Sequence, residues 1–263
     1  MYQSKKEKEK FFHDLRENGY VFLRDIYSKE KINKIKESLV RMLNYIKPND
    51  KTTDLQEKYY QVKKYNPVLK AHFYDMCAFE MEIYSAIHDP KIIDFVKSFY
   101  NTNTIFSGRP ALHIHDSENE RSLAPHQEIH LFSGDGLLLW SPLYDAKDDQ
   151  GGLFIYKNSH KNGIYKHEQS NKQVDHKGVS PSVYNKFEKK RLEVDAGTAL
   201  LIDCAVIHET VKTEKKRFAR FILSERYCPL KKIPYLRKEN VPIKIPYPDG
   251  EEGIEADYNT LVD

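Results

Sequence analysis

The chemistry-bearing residues cluster around two short runs. Pro125-His126-Gln127-Glu128 opens a β-like segment, and Ala205–Thr210 carries His208 in a second one. Side chains alternate between the two faces of a strand, so His126 and Glu128 point the same way. Two imidazoles and one carboxylate on one face of an octahedron are the ligand set of non-haem Fe(II) oxygenases. Three positions then stay open for a bidentate cosubstrate and O2. His-x-Glu also arises by chance, and with eleven histidines in the chain a downstream His is unavoidable. The reading therefore needs neighbours that serve the same chemistry.

Such neighbours follow His208 closely. A 2-oxoglutarate cosubstrate chelates iron through its keto-acid end, and its far carboxylate calls for a bidentate cation, a role that suits the planar fork of arginine. Arg217 opens the run Arg217–Ser224, and Thr210 shares a strand face with His208 and can add a hydroxyl. Arg217 with Thr210 is the expected cosubstrate anchor. Arg220, on the opposite face of the same run, is the rival. Three further residues are candidates for the substrate side: His113, His130 and Trp140. His130 shares a face with His126 and Glu128 if the strand stays regular, although a rim position is its plainer reading. A packed core position is the plainer reading of Trp140.

Other constellations fit less well. His113-Ile114-His115 followed by Glu120 resembles a cupin metal motif, but Gln127 stands where that motif needs glycine. His126 and His130 have the spacing of a zinc peptidase helix, yet the glutamate is at the wrong offset and the surroundings read as strand. No Gly-rich phosphate loop, nucleophile elbow or dinucleotide fingerprint is present.

The elements that must position these residues divide into two textures. Residues up to about 101 read mainly helical. Phe11, Phe12 and Leu15 form an apolar stripe that Gly19 stops, and Tyr20–Leu23 is a short strand. Ser28 caps an amphipathic helix whose apolar positions are Ile32, Ile35, Leu39, Met42, Leu43 and Ile46. Residues 51–66 show no clear pattern, and 68–101 read as two helices broken near Asp89-Pro90. From about 103 to 227, short β-rich runs replace the helices, which points to a sandwich or barrel. The expected strands include Ala111–His115, Glu128–Phe132, Leu137–Leu143, Leu153–Tyr156, Leu192–Val194, Ala199–Ile202, Val206–Thr210 and Arg217–Arg226. Residues 157–190 form a long polar insertion. Residues 228–263 read as an extended, proline-rich arm.

Bulk composition removes several classes. Forty-two basic residues against thirty-nine acidic ones give a net charge of only +3, and no basic stripe with interleaved aromatics marks a nucleic-acid surface. Three cysteines without CxxC spacing argue against a disulfide framework or zinc knuckle. The charged start does not resemble a signal peptide, and no apolar run reaches the roughly 20 residues of a membrane span. A cytoplasmic protein acting on a small-molecule substrate, with no membrane or nucleic-acid partner, is expected. Oligomeric state is not readable.

Several ordered pieces together resemble the phytanoyl-CoA dioxygenase family of Fe(II)- and 2-oxoglutarate-dependent oxygenases. They are Gly19–Leu23 with Ser28–Ile32, then His126-Gln127-Glu128, Trp140–Leu143 and Asp149–Leu153, and then Asn158–Lys161, Asp195–Thr198, His208 and Arg217. They span about residues 19–227 in the family's order. The resemblance implies a mainly β protein with flanking helices and a double-stranded β-helix (jelly-roll) core, as one domain over 1–263. It implies Fe(II) at His126, Glu128 and His208, and 2-oxoglutarate at Arg217 with Thr210. Three departures stand out. Glu128 replaces the family's usual Asp, Asn158 replaces its usual Gly, and the interval from His208 to Arg217 is short, which keeps Arg220 in play. An intact carboxylate at Glu128 argues against halogenation. The expected reaction is hydroxylation of an unactivated C–H of a small metabolite, with release of succinate and CO2. The alternatives are a cupin-type metal dioxygenase that does not use 2-oxoglutarate and a non-catalytic jelly-roll binding protein.

Overall fold

The computed structural model describes residues 5–48, 52–108, 110–118, 123–129, 134–169 and 177–232. In chain order it forms α1 (Lys5–Asn18), β1 (Tyr20–Leu23), α2 (Lys29–Ile46), α3 (Leu55–Tyr65), α4 (Pro67–Met76), α5 (Met81–Ile87), α6 (Pro90–Tyr100), β2 (Ile105–Ser107), β3 (Ala111–Asp116), β4 (Leu137–Pro142), β5 (Gly152–Tyr156), β6 (His167–Gln169), β7 (Lys177–Val179), α7 (Pro181–Tyr184), β8 (Lys189–Leu192), β9 (Ala199–Asp203), β10 (His208–Val211) and β11 (Ala219–Pro229).

Local chemistry sets the helix boundaries. Ser28 Oγ accepts from Lys31 N at 3.1 Å and starts α2. Asp54, Asn66 and Asp89 cap α3, α4 and α6 in the same way, and Pro67 and Pro90 occupy first turns, where no N–H is needed. Asn101 ends α6 in a left-handed conformation (φ 50°).

One sheet has the order β1-β9-β4-β11-β2, with β3 also pairing β11; a second has the order β10-β5-β8. All named pairings within these sheets are antiparallel. Alternation along the central strands separates two cores. Leu137 and Leu139 of β4, Leu201 of β9, and Phe221 and Leu223 of β11 pack with Leu39, Phe73 and Phe95 of the helices. Their alternate neighbours Leu138, Trp140, Leu200, Ile202 and Ile222 face Leu153, Ile155 and Leu192 of the smaller sheet. Two sheets closing over one apolar interior, with helices on the outside of the larger one, make the expected jelly roll. Burial of each large aliphatic side chain here contributes roughly 1.5–3 kcal/mol.

The elements differ from the sequence reading in a few places. Residues 55–65 are helical because Asp54 caps them and Tyr59 and Val62 find the core. Residues 67–100 make three α-helices with a 3-10 turn at Cys77–Phe79 between the first two. Glu128 is not in a strand: His126 makes an isolated bridge, and residues 127–129 carry no regular structure. The insertion contributes the β6–β7 hairpin and α7. Residues 228–229 continue β11, and 230–232 form a 3-10 turn. His130, Glu120 and the arm beyond residue 232 lie outside the described residues. Among the described residues, no helix is long and apolar enough to cross a membrane.

Candidate metal centre

The two histidine-bearing segments of the site are tied face to face. His126 and His208 pair as an antiparallel bridge, with His126 N donating to His208 O at 3.0 Å and His208 N donating to His126 O at 2.9 Å. Directly opposed residues bring their rings together, and the imidazole centroids are 4.4 Å apart. Glu128 N donates to Cys204 O at 2.9 Å, which keeps the carboxylate on the same side although no strand runs through it. Glu128 Oε1 lies 3.8 Å from His126 Nε2 and 3.5 Å from His208 Nε2. Ligand atoms of all three residues fall within 4.8 Å of one another, the one such group among the described residues.

Backbone contacts orient both rings. His126 Nδ1 sits 2.8 Å from Ala124 O, and His208 Nδ1 sits 3.0 Å from Val206 O. A carbonyl can only accept, so each Nδ1 carries the proton and each Nε2 presents a lone pair. Burial and the neighbouring His208 ring push the His126 pKa down, favouring the neutral, ligating form. Burial opposes ionisation of Glu128, but its carboxyl is held well below the usual range, the Arg226 guanidinium being the first cause of the lowering. A deprotonated carboxylate beside two imidazoles that present Nε2 suits a divalent first-row metal.

Gln127, between the two ligands, turns the other way. It is fully buried; its Nε2 donates to Gly163 O (2.9 Å) and Ala205 O (2.6 Å), and its Oε1 accepts from Tyr165 N (2.8 Å). It locks the ligand loop to the insertion. Ser159 Oγ accepts from Ile207 N at 2.8 Å and pins the backbone just before His208. Asn158 precedes it in a left-handed conformation (φ 63°), one that Gly and Asn adopt most easily, which accounts for the exchange noted at this position.

A pocket of about 130 Å³ opens over the triad. His113, His115, Trp140, Thr210, Ser224 and Arg226 line it, together with Leu123, Leu138 and Leu153. Both histidines of the His113-x-His115 pair therefore face the site, since alternation on β3 puts them on one side. His113 Nδ1 lies 2.9 Å from Tyr74 Oη. Burial, then Arg226, pushes His113 down to about 4; burial, then Arg220, pushes His115 down to about 3. They are neutral hydrogen-bonding groups, not charges, and neither joins the ligand cluster. Trp140 is both core and wall: it is 5% exposed and packs with the inner cluster while lining the pocket.

The two arginines of the sequence reading separate cleanly. Arg217 is not brought to the site. It precedes β11 at a left-handed position (φ 50°), its side chain is 57% exposed, and it pairs with Glu57 of α3 at 3.1 Å. Arg220 lies inside β11 on the face shared with Ile222 and Ser224, and it is fully buried. Its guanidinium carbon sits 5.9 Å over the Trp140 ring. Nη1 donates to Gln150 O at 3.0 Å and Val211 O at 3.1 Å, while Nε and Nη2 have no hydrogen-bond partner. Burial, then Arg191, lowers its pKa to about 10. Gly151 makes room for it: a Cβ there would lie 1.9 Å from Arg220 Nη1. The parity of β11 is the physical reason for the outcome, because inner-facing positions are 220, 222, 224 and 226.

Arg226 escaped the sequence reading. Its Nε and Nη2 both lie 3.0 Å from Glu128 Oε2, and its Nη1 is 3.2 Å from Ser224 Oγ. Its position six residues after Arg220 was the available signal, since even spacing on a strand means a shared face.

Comparison with known proteins agrees with this architecture. A non-haem monooxygenase, ThoJ in its apo form, shares 17% identity over 83% of this chain and 77% of its own, with a TM-score of 0.57. The epimerase SnoN, in complex with Fe3+, alpha ketoglutarate and nogalamycin RO, shares 12% identity over 86% and 85% of the two chains, with a TM-score of 0.58. EvdO2 from Micromonospora carbonacea var. aurantiaca, complexed with 2-oxoglutarate, shares 11% identity over 83% and 89%, with a TM-score of 0.53. At these identities the likeness is one of fold. No curated protein matches the chain in sequence. The family model described as Phytanoyl-CoA dioxygenase (PhyH) matches residues 15–219, most of the chain and all three candidate ligands, and the chain belongs to that family.

Proposed function

We propose that this protein is an Fe(II)- and 2-oxoglutarate-dependent dioxygenase that hydroxylates an unactivated C–H of a small metabolite. The observation that carries the reading is Arg220. A fully buried guanidinium with two unbonded nitrogens is costly unless an anion completes it. Its guanidinium carbon lies 5.9 Å from the ring of Trp140, a pocket wall, and it shares the inward parity of β11 with the pocket residues Ser224 and Arg226.

His126, Glu128 and His208 would hold the iron. When bound there, iron would activate O2 with 2-oxoglutarate as the co-reductant, one oxygen atom leaving in succinate alongside CO2 and the other going to the substrate C–H. The chain's own residues do the rest. Arg220 anchors the far carboxylate by a two-point charged contact, and Thr210 adds a hydroxyl beside His208. Leu138, Trp140 and Leu153 make part of the pocket wall apolar, which strengthens charged contacts inside it. His113 and His115 face the pocket as neutral imidazoles and can orient a polar substrate without a charge. The family membership and the SnoN complex, which holds Fe3+ and alpha ketoglutarate, support the cofactor assignment. A fold neighbour described as a carbocyclase shows that similar scaffolds host other outcomes, and hydroxylation is the simplest of them.

Aerobic incubation with Fe(II), ascorbate and 2-oxoglutarate tests the proposal through succinate formation. Slow uncoupled turnover is expected even without the prime substrate. No succinate, together with no 2-oxoglutarate binding in the presence of metal, defeats it. Oxygen uptake that is indifferent to 2-oxoglutarate would instead favour a cupin-type dioxygenase.

A further inference from the structure

We propose that Arg226 is a positioning residue that restricts Glu128 to one ligating oxygen. The inference rests on the metal reading given above and deepens it. Glutamate has one more rotatable bond than the aspartate usual at this position, so its carboxylate can present either oxygen, or both, to a metal. Here that freedom is removed. Arg226 Nε and Nη2 both reach Oε2 at 3.0 Å, and Oε1 is left facing the His208 and His126 Nε2 atoms at 3.5 and 3.8 Å.

The base of the arginine is itself held. Its backbone lies in the register Arg226↔Leu138 at the middle of the large sheet, and its N–H donates to Glu225 Oε1 at 2.6 Å. Nη1 is steadied by Ser224 Oγ at 3.2 Å. The side chains of Arg226 and Glu128 are only 15% and 12% exposed, so the pair sits in a medium where charged hydrogen bonds are strong. A guanidinium near a cation is repulsive in itself. Its presence beside the ligand set is explained by what it does to the carboxylate, which it orders before any metal arrives. The longer side chain and the arginine then form one unit: the added methylene brings Glu128 Oε2 within reach of a strand position that a shorter carboxylate would leave farther away.

The opposed electrostatic and geometric effects give the test its sign. Co(II) binding is measured by calorimetry and by its visible ligand-field spectrum, without cosubstrate, for wild type, Arg226→Ala, Arg226→Lys, Glu128→Ala and the Arg226→Ala/Glu128→Ala double variant. Thermal unfolding of each metal-free protein checks the fold. Positioning predicts that Arg226→Ala weakens Co(II) binding about 10–100-fold and changes the spectrum, as losing a partner that orients a ligand commonly does. Arg226→Lys, which keeps the charge but lacks the two-donor fork, should recover only part of that loss. In the Glu128→Ala background, Arg226→Ala should cause no further weakening, because the residue acts through Glu128. Unchanged or tighter Co(II) binding in Arg226→Ala, with the wild-type spectrum, overturns the role and leaves Arg226 as a direct contact for a bound anion. Equal weakening in both backgrounds also overturns it. A wild-type protein that binds no Co(II) at this site overturns the metal reading itself, a different failure.

Discussion

Arg220 and Arg226 share one strand and one face, and both are largely shielded from solvent, yet they stand in opposite electrostatic conditions. Arg226 meets a carboxylate through two of its nitrogens, whereas Arg220 meets only two carbonyl oxygens and leaves two nitrogens unbonded. A buried cation with a counter-charge is part of the finished structure. A buried cation without one carries its desolvation cost, several kcal/mol, uncompensated, and the proposed cosubstrate contact is what would offset it. The contrast extends to Arg217, which sits in solvent beside Glu57 and has neither burden. Of three arginines within ten residues, the least comfortable in the free protein is the one best suited to hold a ligand.

The comparison can be broken most severely at the metal. His208→Ala removes one ligand and the ring that opposes His126, so metal binding at this site should be abolished, as read by equilibrium dialysis with Co(II). If Co(II) still binds with wild-type affinity, the triad is not the centre.

Arg220→Met tests the unpaired cation next. Losing two charged hydrogen bonds, each about 1.5–3 kcal/mol, should raise the 2-oxoglutarate dissociation constant on the order of 100-fold or more. The metal-free, ligand-free variant should be no less stable than wild type, since an uncompensated buried charge is replaced by a side chain of similar reach. A destabilised variant with unchanged cosubstrate affinity would mean that Arg220 is structural.

Gly151→Ala sharpens the same point without touching the arginine. A methyl group 1.9 Å from Nη1 must displace the guanidinium, and the residue must hold φ near 88°. Cosubstrate affinity should fall about tenfold through this misplacement, with about 1–2 kcal/mol of lost stability from backbone strain.

Burial, reinforced by the two arginines, also depresses two histidines, which gives a pH signature. His113 and His115 titrate at about 4 and about 3 in the folded protein, below the 6.5 of a free imidazole. Their folded pKa values are lowered, so the unfolded chain takes up protons first as pH falls. The stability they confer is complete above about pH 6.5 and is lost progressively toward pH 4 and then 3. At pH 5 each should cost about 1–2 kcal/mol. Urea unfolding at pH 7 and pH 5 should show this decline, and a His113→Asn/His115→Asn variant should flatten it.

The smallest effect is expected at Arg217. Arg217→Ala breaks an exposed ion pair worth about 0–1 kcal/mol and should leave 2-oxoglutarate affinity within about twofold of wild type. A large loss would reverse the assignment of the two arginines.

Much of this was legible in the sequence because the signals are local. Periodic apolar residues and Ser28 marked α2, and alternating runs marked β3, β4, β9 and β11. His126, Glu128 and His208 could be chosen because residue type and strand parity are local properties, and the ordered pieces around them indicated the family. Helix α3 was not legible, since its polar sequence becomes helical only with Asp54 as cap and with Tyr59 and Val62 against the core. The choice between Arg217 and Arg220 was not legible either. Parity says that the two face opposite ways, but not which way is inward. That depends on where β11 begins and on which sheet covers it.

The sequence by itself determined the chemistry on offer: two imidazoles, a carboxylate, and arginines on a strand behind them. Tertiary structure decided which of these meet. The antiparallel bridge put His126 against His208, the pairing of β11 with β3 and β4 turned Arg220 inward and left Arg217 outside, and Arg226 closed on Glu128. The reason is physical: spacing along the chain sets the face of a side chain, but the distance between residues eighty or more positions apart is set by sheet register and packing, which no local pattern contains.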